Sequence, residues 1–131
     1  MNKQKIDEIF QIWKKEHKNS PIIELDYKNN YTMLVAIILS AQSTDVGVNK
    51  ATPALFEIVD TPEKMNSLGE EGLKKYIRTI GLFNSKARNI IKMSEQLVKE
   101  HNSKVPDDFD KLIKLGGVGR KTANVFLNVA F

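Results

Sequence analysis

The residues that are best suited to carry out chemistry are three glycines and a lysine near the carboxyl end. They lie in the sequence Leu-Gly-Gly-Val-Gly-Arg-Lys-Thr-Ala at residues 115–123. Glycine lets the backbone turn sharply and expose its N–H groups. A helix that begins just after such a turn adds about half a positive charge and free donors, so the turn can hold a phosphate. Lys121, just inside that helix, can then act as a nucleophile on the molecule that carries the phosphate.

Spacing alone also admits simpler interpretations of these residues. A Gly-x-Gly pair is common at ordinary turns, and Lys121 could contact phosphate without doing chemistry. A lysine is a poor nucleophile while it is protonated, although partial burial and the helix dipole both favour the neutral amine. A Walker A loop needs a glycine directly before the lysine and an upstream strand. Because Arg120 intervenes and a helix precedes, we set nucleoside triphosphate binding aside.

Four stretches of the chain resemble the endonuclease III branch of the helix-hairpin-helix DNA glycosylases, in the same order and over nearly the whole chain. They are residues 39–45 (Leu-Ser-Ala-Gln-Ser-Thr-Asp), 48–52 (Val-Asn-Lys-Ala-Thr), 80–87 (Ile-Gly-Leu-Phe-Asn-Ser-Lys-Ala) and 115–123. That family usually has a proline where this chain has Gly116. Proline fixes φ and glycine does not, so we expect a more flexible turn here.

The resemblance implies a base-excision glycosylase and apurinic/apyrimidinic lyase acting on double-stranded DNA that carries a damaged pyrimidine or an abasic site. Lys121 would be catalytic: its amine attacks the sugar carbon C1′, the base leaves, and β-elimination cuts the strand. The adenine-removing relatives usually lack this lysine. Backbone amides of the hairpin would clasp a DNA phosphate, a contact that positions the protein without reading sequence. The hairpin residues assigned to DNA binding are Gly117, Val118, Gly119, Arg120 and Thr122.

Five further residues are predicted to bind DNA, the first two from the same resemblance and the other three from their place at a helix start. Gln42 would fill the space left by a flipped-out base, and Leu82 would wedge into the opposite strand. Asn84, Ser85 and Lys86 open a helix and could hold a second phosphate. Simpler alternatives are a surface amide for Gln42, a core or helix-capping leucine for Leu82, and an ordinary N-cap for Asn84.

The chain is predicted to be all-α, because apolar residues recur at helical spacing almost throughout. Residues 31–40 are apolar on all sides and fit either a buried strand or a buried helix. Since no other segment could pair with a strand there, we predict a central helix. The other predicted helices are 3–17, 46–59 with Asp45 as N-cap, 62–69, 70–79, 85–101 capped by Asn84, one from Pro106 or Asp107 to 115, and a last one to 131. Asp45 could instead line the pocket, but capping is the simpler role.

The chain is expected to divide into two structural parts. The resemblance implies a six-helix glycosylase domain at residues 21–131 and a separate amino-terminal helix within residues 1–20. In the family that helix packs on a further domain, which carries a catalytic aspartate and usually four cysteines for a 4Fe-4S cluster. This chain has no cysteine, so we expect no cofactor in it, a truncated enzyme and little activity. Phe10 and Trp13 would then form an exposed apolar patch.

Composition limits the classes of protein to which this chain could belong. The 131 residues suffice for one domain, and we expect neither a secretory signal nor a membrane-spanning run. Residues 1–71 carry 8 Lys/Arg against 11 Asp/Glu, whereas residues 72–131 carry 12 against 5. A basic half suits a phosphate-rich partner, although it also fits a solvated lysine-rich surface. His17 and His101 have no partner at metal-ligand spacing, so no metal is expected.

The chain is expected to be a monomer without membrane contact and, in a prokaryote, cytoplasmic at the nucleoid. Two functions compete with the glycosylase. The hairpin could grip the DNA backbone without chemistry, because the assisting aspartate is missing. Alternatively, the chain could be a helical interaction protein with no nucleic-acid role. The basic half and the glycine hairpin argue weakly against that alternative.

Overall fold

Six helices make up the part of the chain that the structure describes, and no strand occurs in that part. The computed structural model describes residues 25–41 and 43–131. The helices are α1 Asn30–Ser40, α2 Asp45–Ile58, α3 Pro62–Ile77, α4 Phe83–Glu100, α5 Phe109–Leu112 and α6 Arg120–Ala130. The all-α prediction is confirmed for these residues. The predicted helix at 3–17, with Phe10, Trp13 and His17, lies outside them, as does Gln42.

Helix α1 is the centre of the fold, because all of its residues from 31 to 39 are buried. A helix that is apolar all round has no face for solvent and is enclosed by its neighbours. Its start is a capping box: the Asn29 side chain accepts from the Thr32 N–H, and the Thr32 hydroxyl accepts from the Asn29 N–H. The Tyr31 hydroxyl lies 2.5 Å from that of Ser94, which ties α1 to α4.

Helices α2 and α3 both begin at a threonine cap. The prediction that Asp45 caps α2 was wrong: Asp45 is the first helical residue, and the Thr44 side chain accepts from the backbone N–H of residue 47. The Thr61 cap of α3, with Pro62 at the first helical position, was predicted correctly. Helix α3 is interrupted at Gly69, where φ is 79°, so its two halves correspond to the two predicted helices.

Helix α4 begins two residues earlier than predicted. Asn84 is not its cap; Leu82 occupies that position with left-handed torsion angles, φ 60° and ψ 31°. Helix α5 is shorter than predicted and begins after Asp108, whose side chain accepts from the Lys111 N–H. Of the described helices, none has the length and apolar character needed to cross a membrane.

Candidate nucleic-acid interface

The turn between α5 and α6 is the glycine hairpin that the sequence singled out. Gly117 has φ 77°, a backbone conformation that favours glycine. Val118 was expected to offer its amide to a phosphate, but its N–H donates to the Leu115 carbonyl at 3.2 Å. Its side chain is buried, whereas Gly117 and Gly119 are exposed. Val118 therefore anchors the hairpin, and the two glycines on either side present their backbone to solvent.

Gln96 of α4 holds the α5 side of this hairpin at two points, a role that the sequence did not reveal. Its Nε2 donates to the Lys114 carbonyl at 3.0 Å, and its Oε1 accepts from the Gly116 N–H at 2.8 Å. A side chain on Gly116 would bring a Cβ within 2.8 Å of the Asn89 carbonyl oxygen. Contacts with α4 thus restrain the turn where a proline ring would do so. The greater flexibility expected of Gly116 stays a prediction.

Helix α6 starts without a side-chain cap and without an acidic residue in its first turn. Gly119 occupies the cap position, so the first N–H groups of the helix have no intrahelical partner. Arg120 and Lys121 are exposed and Thr122 is half-buried. The Arg120 guanidinium lies 5.8 Å from the centroid of the Phe109 ring. Unpaired amides, the positive end of the helix dipole and two cations make this helix start suited to an anion.

Lys121 is placed in the first turn of α6, as predicted, but not in the expected surroundings. Partial burial was expected to help keep its amine neutral, and its side chain is exposed. It forms no ion pair with any of the residues that the structure describes. Any enclosure of this amine must therefore come from a bound partner or from residues other than those described.

The start of α4 is the second helix start that lacks a side-chain cap, whereas the other four described helices are capped by Asn29, Thr44, Thr61 and Asp108. Leu82, at its cap position, is 60% exposed, which excludes a core role. A leucine with positive φ is strained, and strain of this kind collects at functional sites. Asn84 and Ser85 are exposed in the first turn of α4.

Lys86 has a placement that the sequence did not suggest. Its side chain is buried, and its Nζ donates to the carbonyls of Leu39 and Ala41 and to the Ser43 hydroxyl, at 2.8, 2.6 and 3.0 Å. Burial lowers the pKa of this ammonium group. Because all three donors are used inside the protein, the Lys86 side chain is not arranged to bind a phosphate.

The hairpin and the Leu82 turn are both held by helices α1 and α4. A Cβ at Gly117 would lie 2.9 Å from the Asn89 Cβ in α4 and 3.5 Å from the Ile38 Cγ2 in α1. The hairpin therefore packs against α4 and the carboxyl half of α1. Lys86, in the first turn of α4, contacts the carboxyl end of the same helix α1. The hairpin and the first turn of α4, which include most of the predicted DNA-binding residues, thus both contact the carboxyl half of α1.

No group of three or more histidine, aspartate or glutamate side chains among the described residues could hold a metal ion. His101 lies half-buried just after α4. The absence of cysteine means that this chain contains no thiolate ligands for an iron-sulfur cluster.

Comparison with known proteins assigns this arrangement to a family. The family model described as HhH-GPD superfamily base excision DNA repair protein matches residues 35–129, which include the Leu82 turn and most of α6. The chain belongs to the HhH-GPD superfamily. The resemblance to helix-hairpin-helix glycosylases seen in the sequence is therefore confirmed.

Individual relatives point to the endonuclease III branch of this superfamily. The chain is 59% identical over 131 residues to Endonuclease III of Rickettsia conorii and 52% identical to that of Escherichia coli K12. In both cases the match covers all of this chain and 62% of the relative. A solved structure of a trapped Endonuclease III–DNA covalent intermediate matches with a TM-score of 0.83 and 44% identity, over all of this chain and 61% of that one. The chain therefore spans somewhat less than two thirds of these relatives.

Proposed function

We propose that this chain binds duplex DNA at damaged pyrimidines or abasic sites and that Lys121 is the nucleophile of a glycosylase and apurinic/apyrimidinic lyase. The observation that most supports this proposal is the position of Lys121, in the first turn of a helix whose N-terminus is open to an anion. A phosphate bound there would bring the adjoining sugar within reach of the amine. The match to a trapped Endonuclease III–DNA covalent intermediate supports this assignment.

The chemistry would proceed through an imine between protein and sugar. The neutral amine of Lys121 attacks C1′, the bond from C1′ to the base breaks, and the base leaves with a proton. Opening of the C1′–O4′ bond, with a proton from water passing to O4′, gives an iminium, which acidifies the C2′ hydrogen. Loss of that proton expels the 3′ phosphate by β-elimination, and water releases the lysine. At a site that has already lost its base, the amine condenses with the C1′ aldehyde and expels water.

Access to C1′ would require the damaged nucleotide to leave the base stack, which costs a few kcal/mol. Leu82 is suited to fill the opened duplex, since it presents an exposed apolar side chain beside an uncapped helix start. Gln42, which comes two residues after the end of α1 in the sequence, would fill the space left by the flipped-out base. The amides of Asn84 and Ser85 at the start of α4 would hold a second phosphate. Arg120 and Thr122 would contact the backbone beside the hairpin.

Borohydride trapping on duplex DNA with a single abasic site tests this proposal, because hydride reduces the imine to a stable amine crosslink. The wild-type chain should yield a crosslinked band, and Lys121→Ala should lose it. Lys114→Ala is the matched control: it removes an exposed lysine near the hairpin and should still crosslink. An undiminished adduct with Lys121→Ala would reject the proposed nucleophile, and a missing adduct with the wild-type chain would favour the second candidate function described next.

DNA binding without chemistry is the second candidate, favoured by the exposure of Lys121 to solvent among the described residues. In that case the hairpin would position the chain on phosphates, and the affinity would fall steeply with salt. Titrations of intact and abasic duplexes at several salt concentrations separate the candidates. Equal affinity for both duplexes, together with failure to crosslink, would favour the binding role.

A further inference from the structure

Lys86 is a buried cation with a complete set of partners. Its side chain is only 5% exposed. An ammonium group has three N–H donors, and the structure supplies three oxygen acceptors at 2.6 to 3.0 Å. Removing this group would leave the buried Leu39 carbonyl, and the part-buried Ala41 carbonyl and Ser43 hydroxyl, without this donor. Burying a charge is costly unless hydrogen bonds satisfy it, and here three acceptors do so.

The acceptors all belong to the carboxyl end of α1 and the loop that follows it. The carbonyls of Leu39 and Ala41 lie where a helix leaves its last C=O groups unpaired and where its dipole is negative. Ser43 lies two residues after Ala41, so Lys86 binds the chain on both sides of position 42. In this way one side chain binds the described residues that come immediately before and after position 42.

The backbone of Lys86 makes the complementary connection. Its N–H donates to the Leu82 carbonyl at 2.9 Å, in the first turn of α4. One residue thus joins the strained Leu82 turn to both flanks of position 42. The two side chains proposed to enter the duplex come from segments 40 residues apart in sequence, and Lys86 links them directly.

We propose that Lys86 is a positioning residue that holds the residues on either side of position 42 in a fixed relation to the Leu82 turn, so that Gln42 and Leu82 enter the DNA as one unit. This inference rests on the proposed function, because it concerns how the lesion site is opened. Lys86 touches neither DNA nor the reacting atoms; it acts through the segments that it joins. Loss of its ammonium group should impair the opening of the duplex more than it impairs general DNA binding.

The test compares Lys86→Met with Lys99→Met. Lys99 is an exposed lysine of the same helix, so both variants lose one positive charge. Affinity is measured for intact duplex and for duplex with a tetrahydrofuran abasic analogue. The fluorescence of 2-aminopurine opposite the analogue reports local unstacking. Lys86→Met should lower the preference for the abasic duplex about tenfold, ~1.4 kcal/mol, and reduce the fluorescence rise. Binding to intact duplex should match that of Lys99→Met.

Chemical rescue separates positioning from folding. Because the chain has no cysteine, Lys86→Cys creates a single thiol that can be alkylated in denaturant before refolding. Alkylation with 2-bromoethylamine restores an ammonium group at nearly the length of lysine, whereas iodoacetamide adds a neutral amide. Abasic preference should return with the first reagent and not with the second. This comparison stands even if Lys86→Met does not fold.

The outcomes distinguish this inference from the proposed function. If the wild-type chain itself shows no preference for the abasic duplex, the proposed function and the positioning role fall together. If the wild type shows the preference and Lys86→Met retains it with an undiminished fluorescence rise, only the positioning role is overturned. Equal recovery with both alkylating reagents would also overturn it, because the charge would then be unnecessary.

Discussion

Replacing Gly116 with proline should destabilise this chain, although proline is the residue that the resemblance to endonuclease III leads one to expect. In an isolated turn the change would stiffen the unfolded chain and stabilise the fold. Two contacts in this structure oppose that gain. The Gly116 N–H donates to the Gln96 Oε1 at 2.8 Å, and proline has no N–H. In addition, a Cβ here would lie 2.8 Å from the Asn89 carbonyl oxygen and 3.1 Å from the Lys92 Cβ.

The magnitude follows from three opposing contributions. Crowding against backbone costs about 1–3 kcal/mol, and the lost hydrogen bond costs about 0.5–1.5 kcal/mol. Proline also restricts the unfolded chain, and this offsets about 0.4–1 kcal/mol of those losses. The net change is a loss of about 2 kcal/mol in the free energy of unfolding, or about 8 °C in Tm for a chain of this size. Gly116→Ala keeps the N–H donor, so it should lose about 1 kcal/mol through crowding alone.

Urea and thermal denaturation followed by circular dichroism at 222 nm measure these changes. Gly119→Ala is the matched control, because nothing lies within 4 Å of a Cβ at that position and its φ is −91°. The control should stay within about 0.5 kcal/mol of the wild type. In a Gln96→Ala background the proline should cost less, since the bond to Gln96 is already absent. A higher Tm for Gly116→Pro would refute the reasoning.

Two further predictions concern Tyr31 and Leu82. Tyr31→Phe removes the hydrogen bond to Ser94 and should cost about 1 kcal/mol at neutral pH. Burial raises the pKa of Tyr31, so the folded state holds this proton more tightly than the unfolded state. That stability is fully present below the unfolded pKa of about 10 and is lost as the pH rises beyond it. Urea unfolding at pH 8 and 11 should therefore show a smaller alkaline loss for Tyr31→Phe, and an equal loss would contradict the assignment. Leu82→Gly relieves positive φ and should leave the free energy of unfolding unchanged or raise it by up to about 1 kcal/mol. The same change should weaken abasic-duplex binding in a gel shift, and unaltered binding would count against a wedge role for Leu82.

Local sequence patterns were enough to predict the fold class and the position of the hairpin. The apolar spacing of α4 and the threonine cap of α3 act within a few neighbouring residues, so they can be recognised without knowing the tertiary structure. The errors were also local. Asp45 and Asn84 are good capping residue types, but Thr44 and Leu82 occupy the cap positions instead. A good capping residue type is therefore not sufficient, because packing decides which residue lies at the helix start.

By itself the sequence determined a helical chain with a glycine hairpin and a lysine one residue inside the helix that follows it. Torsional freedom, periodicity and the helix dipole are properties of short segments, so they can be read without the fold. Only the tertiary structure decided where the side chains of Lys86 and Gln96 go. Lys86 meets acceptors 43 to 47 residues earlier in the chain, and Gln96 meets the hairpin 18 and 20 residues later. A lysine in the first turn of a helix has the same local pattern whether its ammonium group faces solvent or the carbonyls of another helix, and helix packing makes that choice.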